Sequence, residues 1–147
     1  MSTNKTLSAQ DYFEIQNLYA KYNLCSDAGD ADGYASCFAA DGVLRVESAD
    51  LTVTGIDALL AFKKKDKAGR GTNYRRHWNG SMHLERLDET SARGRCYLIA
   101  YNGTPGSLPA LSDCGVYDDR ITKVAGEWKF ARRSLTMDGS TWSKPAQ

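Results

Sequence analysis

His77 and His83 are the only two histidines in this sequence, and histidine is the side chain whose ordinary titration lies nearest neutral pH. Either one can remove and return a proton under physiological conditions, provided a carboxylate fixes its tautomer and stabilises the imidazolium. They stand in one segment with strand-like alternation, so a regular strand would point both to one face, with Asn79 and Ser81 beside His77. His77 lies nearer the segment's start and is the candidate proton carrier, whereas His83 reads as a solvent-facing strand residue outside the site. Other chemistries find no support. Cys25, Cys37, Cys96 and Cys114 are irregularly spaced, with no CxxC and no Cys/His ligand pattern, and read as buried free thiols. There is no glycine-rich phosphate loop after a strand, no GxSxG elbow and no HExxH. The residue types therefore support acid/base chemistry without a cofactor or metal.

The elements that must carry these residues follow from periodicity. Ser8 followed by Asp11 resembles a capping box, and Tyr12, Ile15, Leu18, Tyr19, Tyr22 and Cys25 recur at helical spacing, which predicts a first helix ending near Asp27. After a turn at Ala28 to Gly33, Asp32 is expected to cap a second short helix with Tyr34, Cys37 and Phe38 as its buried stripe, ended by Asp41-Gly42. Val43 to Glu47 and Leu51 to Thr54 read as a hairpin closed by Gly55. Ile56, Leu59, Leu60 and the Lys63 stem predict a third short helix that dissolves into the polar run Lys64 to Gly71. Four alternating segments follow, Arg76 to Leu87, Ala92 to Tyr101, Leu111 to Lys123 and Glu127 to Asp138, the pattern of an antiparallel meander. Asn79-Gly80 is a two-residue hairpin signal, but the loop from Asn102 to Pro109 is the better place for the chain to reverse, so the strand around His77 is expected to be continuous.

Composition bounds the rest. A length of 147 residues with 41% apolar and 25% charged residues fits one soluble domain, 1–147, with a core spanning about 7–138. The net charge of +1 gives no support to nucleic-acid or membrane binding, and no run approaches the roughly 20 apolar residues of a membrane span. Met1 to Gln10 is polar and lacks the hydrophobic centre of a signal peptide, so the expectation is a cytoplasmic protein. The basic run Lys63, Lys64, Lys65, Lys67, Arg70, Arg75 and Arg76 is interrupted by Asp66 and has only Tyr74 and Trp78 for base stacking, so it reads as a solvated loop.

Three stretches carry a family resemblance. The helix through Tyr19, Tyr22 and Asp27 with Gly29-Asp30 and Cys37-Phe38-Ala39-Ala40-Asp41-Gly42, the run Tyr74 to Glu85 in which a histidine begins a central strand, and Gly126 to Arg133 together resemble the SnoaL-like branch of the NTF2-like superfamily. The resemblance implies an α+β fold, a cone-shaped barrel in which helices and a strongly curved sheet enclose a deep apolar pocket. In its enzymatic members, among them scytalone dehydratase, bile-acid dehydratase and lindane dehydrochlorinase, an Asp at the end of the first helix pairs with a His on the sheet. Asp27 and His77 occupy those positions, although Asp30 and Asp32 stand close by as competing carboxylates. The implied roles are His77 as general base or acid, Asp27 as the group that orients it, and Tyr22, otherwise a core residue of the helical stripe, as a polarising hydroxyl. Tyr34, Trp78, Asn79 and either Arg132 or Arg133 are the implied substrate contacts. The expected activity is a cofactor-independent elimination of water, halide or an aldehyde from a small cyclic or aromatic substrate. An isomerase or cyclase of the same fold is the rival, as is a non-catalytic small subunit similar to that of ring-hydroxylating dioxygenases. The resemblance further implies a homodimer or homotrimer.

Overall fold

The computed structural model describes residues 4–141, so the outermost residues of the expected 1–147 domain, 1–3 and 142–147, lie outside the described residues. Helix α1, Ala9–Ala28, is capped by Ser8, whose Oγ accepts the Asp11 N–H at 3.1 Å. Its buried stripe is Ile15, Leu18, Tyr19, Tyr22 and Ser26. Gly29 ends it in the left-handed region, φ 73°, where a residue without a β-carbon meets no steric penalty. Helix α2, Ala31–Ala35, is capped by Asp30, whose Oδ1 accepts the Gly33 N–H at 2.9 Å, and not by Asp32. It is also shorter than its sequence pattern predicts. Cys37 follows it and Phe38 already opens β1, Phe38–Val46, pairing in register with Phe130. A 3-10 turn, Glu47–Ala49, leads to β2, Leu51–Thr54, and the expected hairpin forms, though with a longer first strand.

The third helix departs furthest from expectation. Helix α3 runs Ile56–Arg70 and does not dissolve at Lys64. Leu59, Lys63, Asp66 and Arg70 recur at helical spacing, and the helix buries them as one face whose first half is apolar and whose second half is charged. The basic run is therefore not a solvated loop, since Lys63, Arg70 and Arg75 are all buried.

Strands β3, Tyr74–Arg86, β4, Ser91–Gly103, β5, Ala110–Val124, and β6, Glu127–Ser140, form the predicted meander. The six strands make one curved sheet in the order β2-β1-β6-β5-β4-β3, antiparallel except for the parallel β1–β6 pair. Helices covering one face of such a sheet make the α+β fold that the sequence predicts. The core lies between them. Tyr22, Tyr34, Phe38 and Phe130 meet with ring centroids 4.9 to 5.9 Å apart, the range of favourable tilted and edge-to-face contacts.

Strand β3 is continuous through Asn79-Gly80 but carries a bulge between Gly80 and His83, with Ser81 at φ 52°. The extra residue reverses the parity of the strand. Arg75, His77 and Asn79 face the helices before it, and Met82, Leu84 and Arg86 do so after it, so His83 does not share a face with His77 and projects into solvent.

Candidate active site

Asp27 sits in the last turn of α1, where the helix leaves carbonyl groups without intrahelical partners. Arg70 supplies those partners, its guanidinium donating to the carbonyls of Ser26 at 3.0 Å and Asp27 at 3.1 Å. A cation at a helix C-terminus also complements the helix dipole, so α3 fixes the end of α1 and with it the Asp27 backbone. The target of the side chain is set by the sheet. β3 is an edge strand, and the His77 N–H points away from β4 with no strand partner. Asp27 Oδ2 accepts that N–H at 3.0 Å, while Oδ1 lies 2.5 Å from His77 Nδ1. Both side chains are largely shielded, at 9% and 12% exposure. A carboxylate only accepts, so Nδ1 carries the shared proton and Nε2 presents its lone pair. Nε2 makes no hydrogen bond among the described residues. The arrangement suits a ring that takes a proton at Nε2, with an anion behind it to stabilise the cation that results.

His77 borders an enclosed cavity between α1, α3 and the inner face of the sheet, with about 40 Å³ of free space. At roughly 10–15 Å³ per site, that is room for about three or four waters. Its polar walls include Tyr22, Tyr34, Lys63, Arg75, His77 and Asp113, and apolar side chains such as Leu44, Leu98 and Leu135 line the rest. The Tyr22 and Tyr34 hydroxyls are 3.2 Å apart, and burial pushes both phenols up, so each remains a proton donor at neutral pH. Lys63 Nζ donates to Ser26 Oγ at 2.8 Å and to Asp66 Oδ2 at 3.1 Å. Burial draws the Lys63 pKa below its usual value despite Asp66. Burial alone would raise Asp66, but Lys63, then Arg75 and Arg70, outweigh it and hold its carboxyl below the usual range. Asp113 accepts from Ser112 and Ser140.

The structure thus brings Asp27, His77, Tyr22 and Tyr34 together. It does not bring the remaining expected contacts to that cavity. Trp78 is 62% exposed on the opposite face of β3. Asn79 accepts from Asn23 Nδ2 at 2.7 Å, and Asn79, Trp78 and His77 together line a separate open groove of about 600 Å³ outside α1. Arg132 faces solvent near Glu47, while Arg133 points inward, is fully buried and is held by Asp119. Neither arginine lines the cavity. Sequence reasoning missed Lys63, Arg75 and Asp113 altogether. The alternation of sign at Lys63, Asp66 and Arg70 is the signal that could have exposed Lys63, because opposite charges at helical spacing mark a paired face, whereas Arg75 lies on β3 outside that pattern. Among the described residues, no three His, Cys, Asp or Glu side chains gather as a metal site, and no helix is long and apolar enough to cross a membrane.

Helices on a bent, mostly antiparallel sheet, closed over a cavity, make the α+β fold shared with solved structures described as cystatin-like, one of them an NTF2-like protein. Within that class the SnoaL-like domain family matches residues 8–134, and the chain belongs to it. No curated protein matches it in sequence. Among solved structures, it is similar to a single-residue variant of Rv3472, a protein of unknown function from Mycobacterium tuberculosis, with 26% identity, coverage of 87% of this chain and 72% of that one, and a TM-score of 0.77. It is similar in fold to Aln2 from a Streptomyces species, at 22% identity, 91% and 95% coverage and a TM-score of 0.82. A candidate scytalone dehydratase from Novosphingobium aromaticivorans shares the fold at 22% identity, 93% and 89% coverage and a TM-score of 0.77.

Proposed function

We propose that this protein is a lyase that needs no cofactor, in which His77 Nε2 removes a proton from carbon or a hydroxyl while a β leaving group, by default water, departs. The observation that carries the reading is the Asp27–His77 pair, with Nδ1 committed to the carboxylate and Nε2 unengaged at a cavity wall. Transfer from an α-carbon leaves its electron pair to form the new C=C bond as hydroxide departs. The proton held by His77, or one from the Tyr22 hydroxyl, converts that hydroxide to water. The aromatic lining supports a cyclic or aromatic substrate. A direct test uses a β-hydroxytetralone, which becomes a fluorescent naphthol on losing water. Wild-type protein is expected to accelerate naphthol release saturably, and equal rates with wild type and with His77→Ala would overturn the reading.

Self-association belongs to the same proposal. The outer face of the sheet exposes Trp78, Tyr97, Ile99 and Leu111 on neighbouring strands, at 38% to 62% each, and contiguous exposed apolar side chains mark contact surfaces. Light scattering is expected to give a mass two or three times that of the 16.2 kDa chain, and a monomer at micromolar concentration would refute this.

A further inference from the structure

Three buried cations share one carboxylate at the wall of the His77 cavity. Lys63, Arg70 and Arg75 are 4%, 9% and 8% exposed, and their nitrogens lie 3.1, 3.6 and 3.0 Å from the Asp66 oxygens. Asp66 balances one of them. Asp27, whose charge also favours the Arg70 cation, is hydrogen-bonded to His77, and Asp113 lines the same cavity two strands, or roughly 10 Å, from His77 along the row His77, Ala100, Asp113. The Asp113 carboxylate is satisfied there by Ser112 and Ser140 hydroxyls. Buried cations are costly to leave incompletely partnered, so the N–H groups that Lys63 and Arg75 keep unused at the cavity wall mark a place that an anion's oxygens can complete. Donors remain for it. Lys63 uses two of its three N–H groups on Ser26 and Asp66, and its ammonium lies 4.5 Å from the ring centre of Tyr34, while Arg75 uses Nε on Asn102 and Nη1 on Asp66, leaving Nη2.

We infer that the substrate is an organic anion whose carboxylate docks on Lys63 and Arg75, with its ring system extending toward His77. This rests on the reading of His77 as the reaction centre. The way in is marked by Phe62 and Arg75, which wall both the enclosed cavity and a second, open one of about 450 Å³ that also presents Lys65 and Arg70. The inner cavity is too small for a ring, whereas the two joined by displacement of Phe62 fall within the roughly 300–1,000 Å³ of ligand sites. A cationic vestibule draws an anion toward that passage.

Calorimetric titration with naphthoate and with its uncharged isostere naphthamide tests the inference. Naphthoate is expected to bind at least about tenfold more tightly, equivalent to about 1.4 kcal/mol. Lys63→Met and Arg75→Met should each abolish that preference, and Arg75→Lys should keep part of it. Asp27→Asn, which removes the dyad, should leave it intact, so inactive wild-type protein that still prefers naphthoate would refute the lyase reading alone. Equal affinity for the two probes, or no saturable binding of either at millimolar concentration, overturns the inference. The wild-type comparison decides even if a variant fails to fold.

Discussion

Replacing His77 by alanine is expected to lower β-hydroxytetralone turnover by about 10²–10⁴-fold, the usual contribution of a general acid/base group. Stability should change far less than turnover, because the Asp27 carboxylate keeps the backbone N–H of residue 77 as a partner when the ring is removed. Asp27→Asn should fall nearly as far for a different reason. The asparagine can still accept the His77 backbone N–H through its carbonyl oxygen, which turns its amide N–H₂ toward Nδ1. Nδ1 must then accept, the proton moves to Nε2, and the lone pair facing the cavity is lost. Geometry survives and the base does not. The comparison separates this mechanism from one in which Asp27 merely pins the strand, where the amide would substitute freely. Turnover within a few-fold of wild type in either variant, with circular dichroism unchanged, would end the dyad mechanism.

What the sequence made legible tracks the physical signal available. The Ser8 cap, the α1 stripe and the four long strands were readable because apolar periodicity is strong where one face is buried against a core. The second half of α3 was not, because its buried face consists of Lys63, Asp66 and Arg70, which hydropathy scores as solvent. The end of α2 was misread because Cys37 and Phe38 are buried in either a helix or a strand. The bulge after Gly80 could not be seen either, since nothing local in Gly80-Ser81-Met82 demands an extra residue, and it alone separates the faces of His77 and His83. Asp27 and His77 were reachable through a family pattern, not through spacing, because they are joined across the edge of the sheet by tertiary structure. The choice between Arg132 and Arg133 was open for lack of a register, which the pairing of β6 with β1 and β5 now supplies.

Asp119→Ala is expected to cost about 3–5 kcal/mol of stability, the range for stranding a buried charge. Arg133 and Asp119 are both fully buried, and the guanidinium donates to the carboxylate at 3.2 Å through Nε and 2.9 Å through Nη2, a two-point fork. The Tyr19 hydroxyl donates to the same carboxylate at 2.6 Å. That approach depends on Gly94, opposite Asp119 on β4, where a β-carbon would collide with the hydroxyl. The guanidinium carbon also stacks 3.7 Å from the ring centre of Tyr117, 4.2 Å from that of Tyr22 and 4.3 Å from that of Phe130. Burial is the largest influence on Arg133 and opposes its charge, yet Asp119 together with Tyr117, Tyr22 and Tyr19 outweighs it and keeps the Arg133 pKa well above the ordinary value. Removing Asp119 therefore leaves a cation that can neither deprotonate nor reach water, and its aromatic neighbours cannot replace an anion. The melting temperature should drop by roughly 10 °C, read by calorimetry. The double variant Asp119→Leu with Arg133→Met should recover most of the loss, since an apolar pair of matched volume stands in for a buried ion pair at little cost. A fall of less than about 1 kcal/mol in the single variant would mean that the pair is not stranded by the loss of one member. Because Tyr22 rests on Arg133 with one face and lines the His77 cavity, the same substitution should also weaken turnover below the melting point. The dyad variants, by contrast, should lose rate while keeping their stability, so the two sets divide the interior into a group that holds the cavity wall and a group that acts within it.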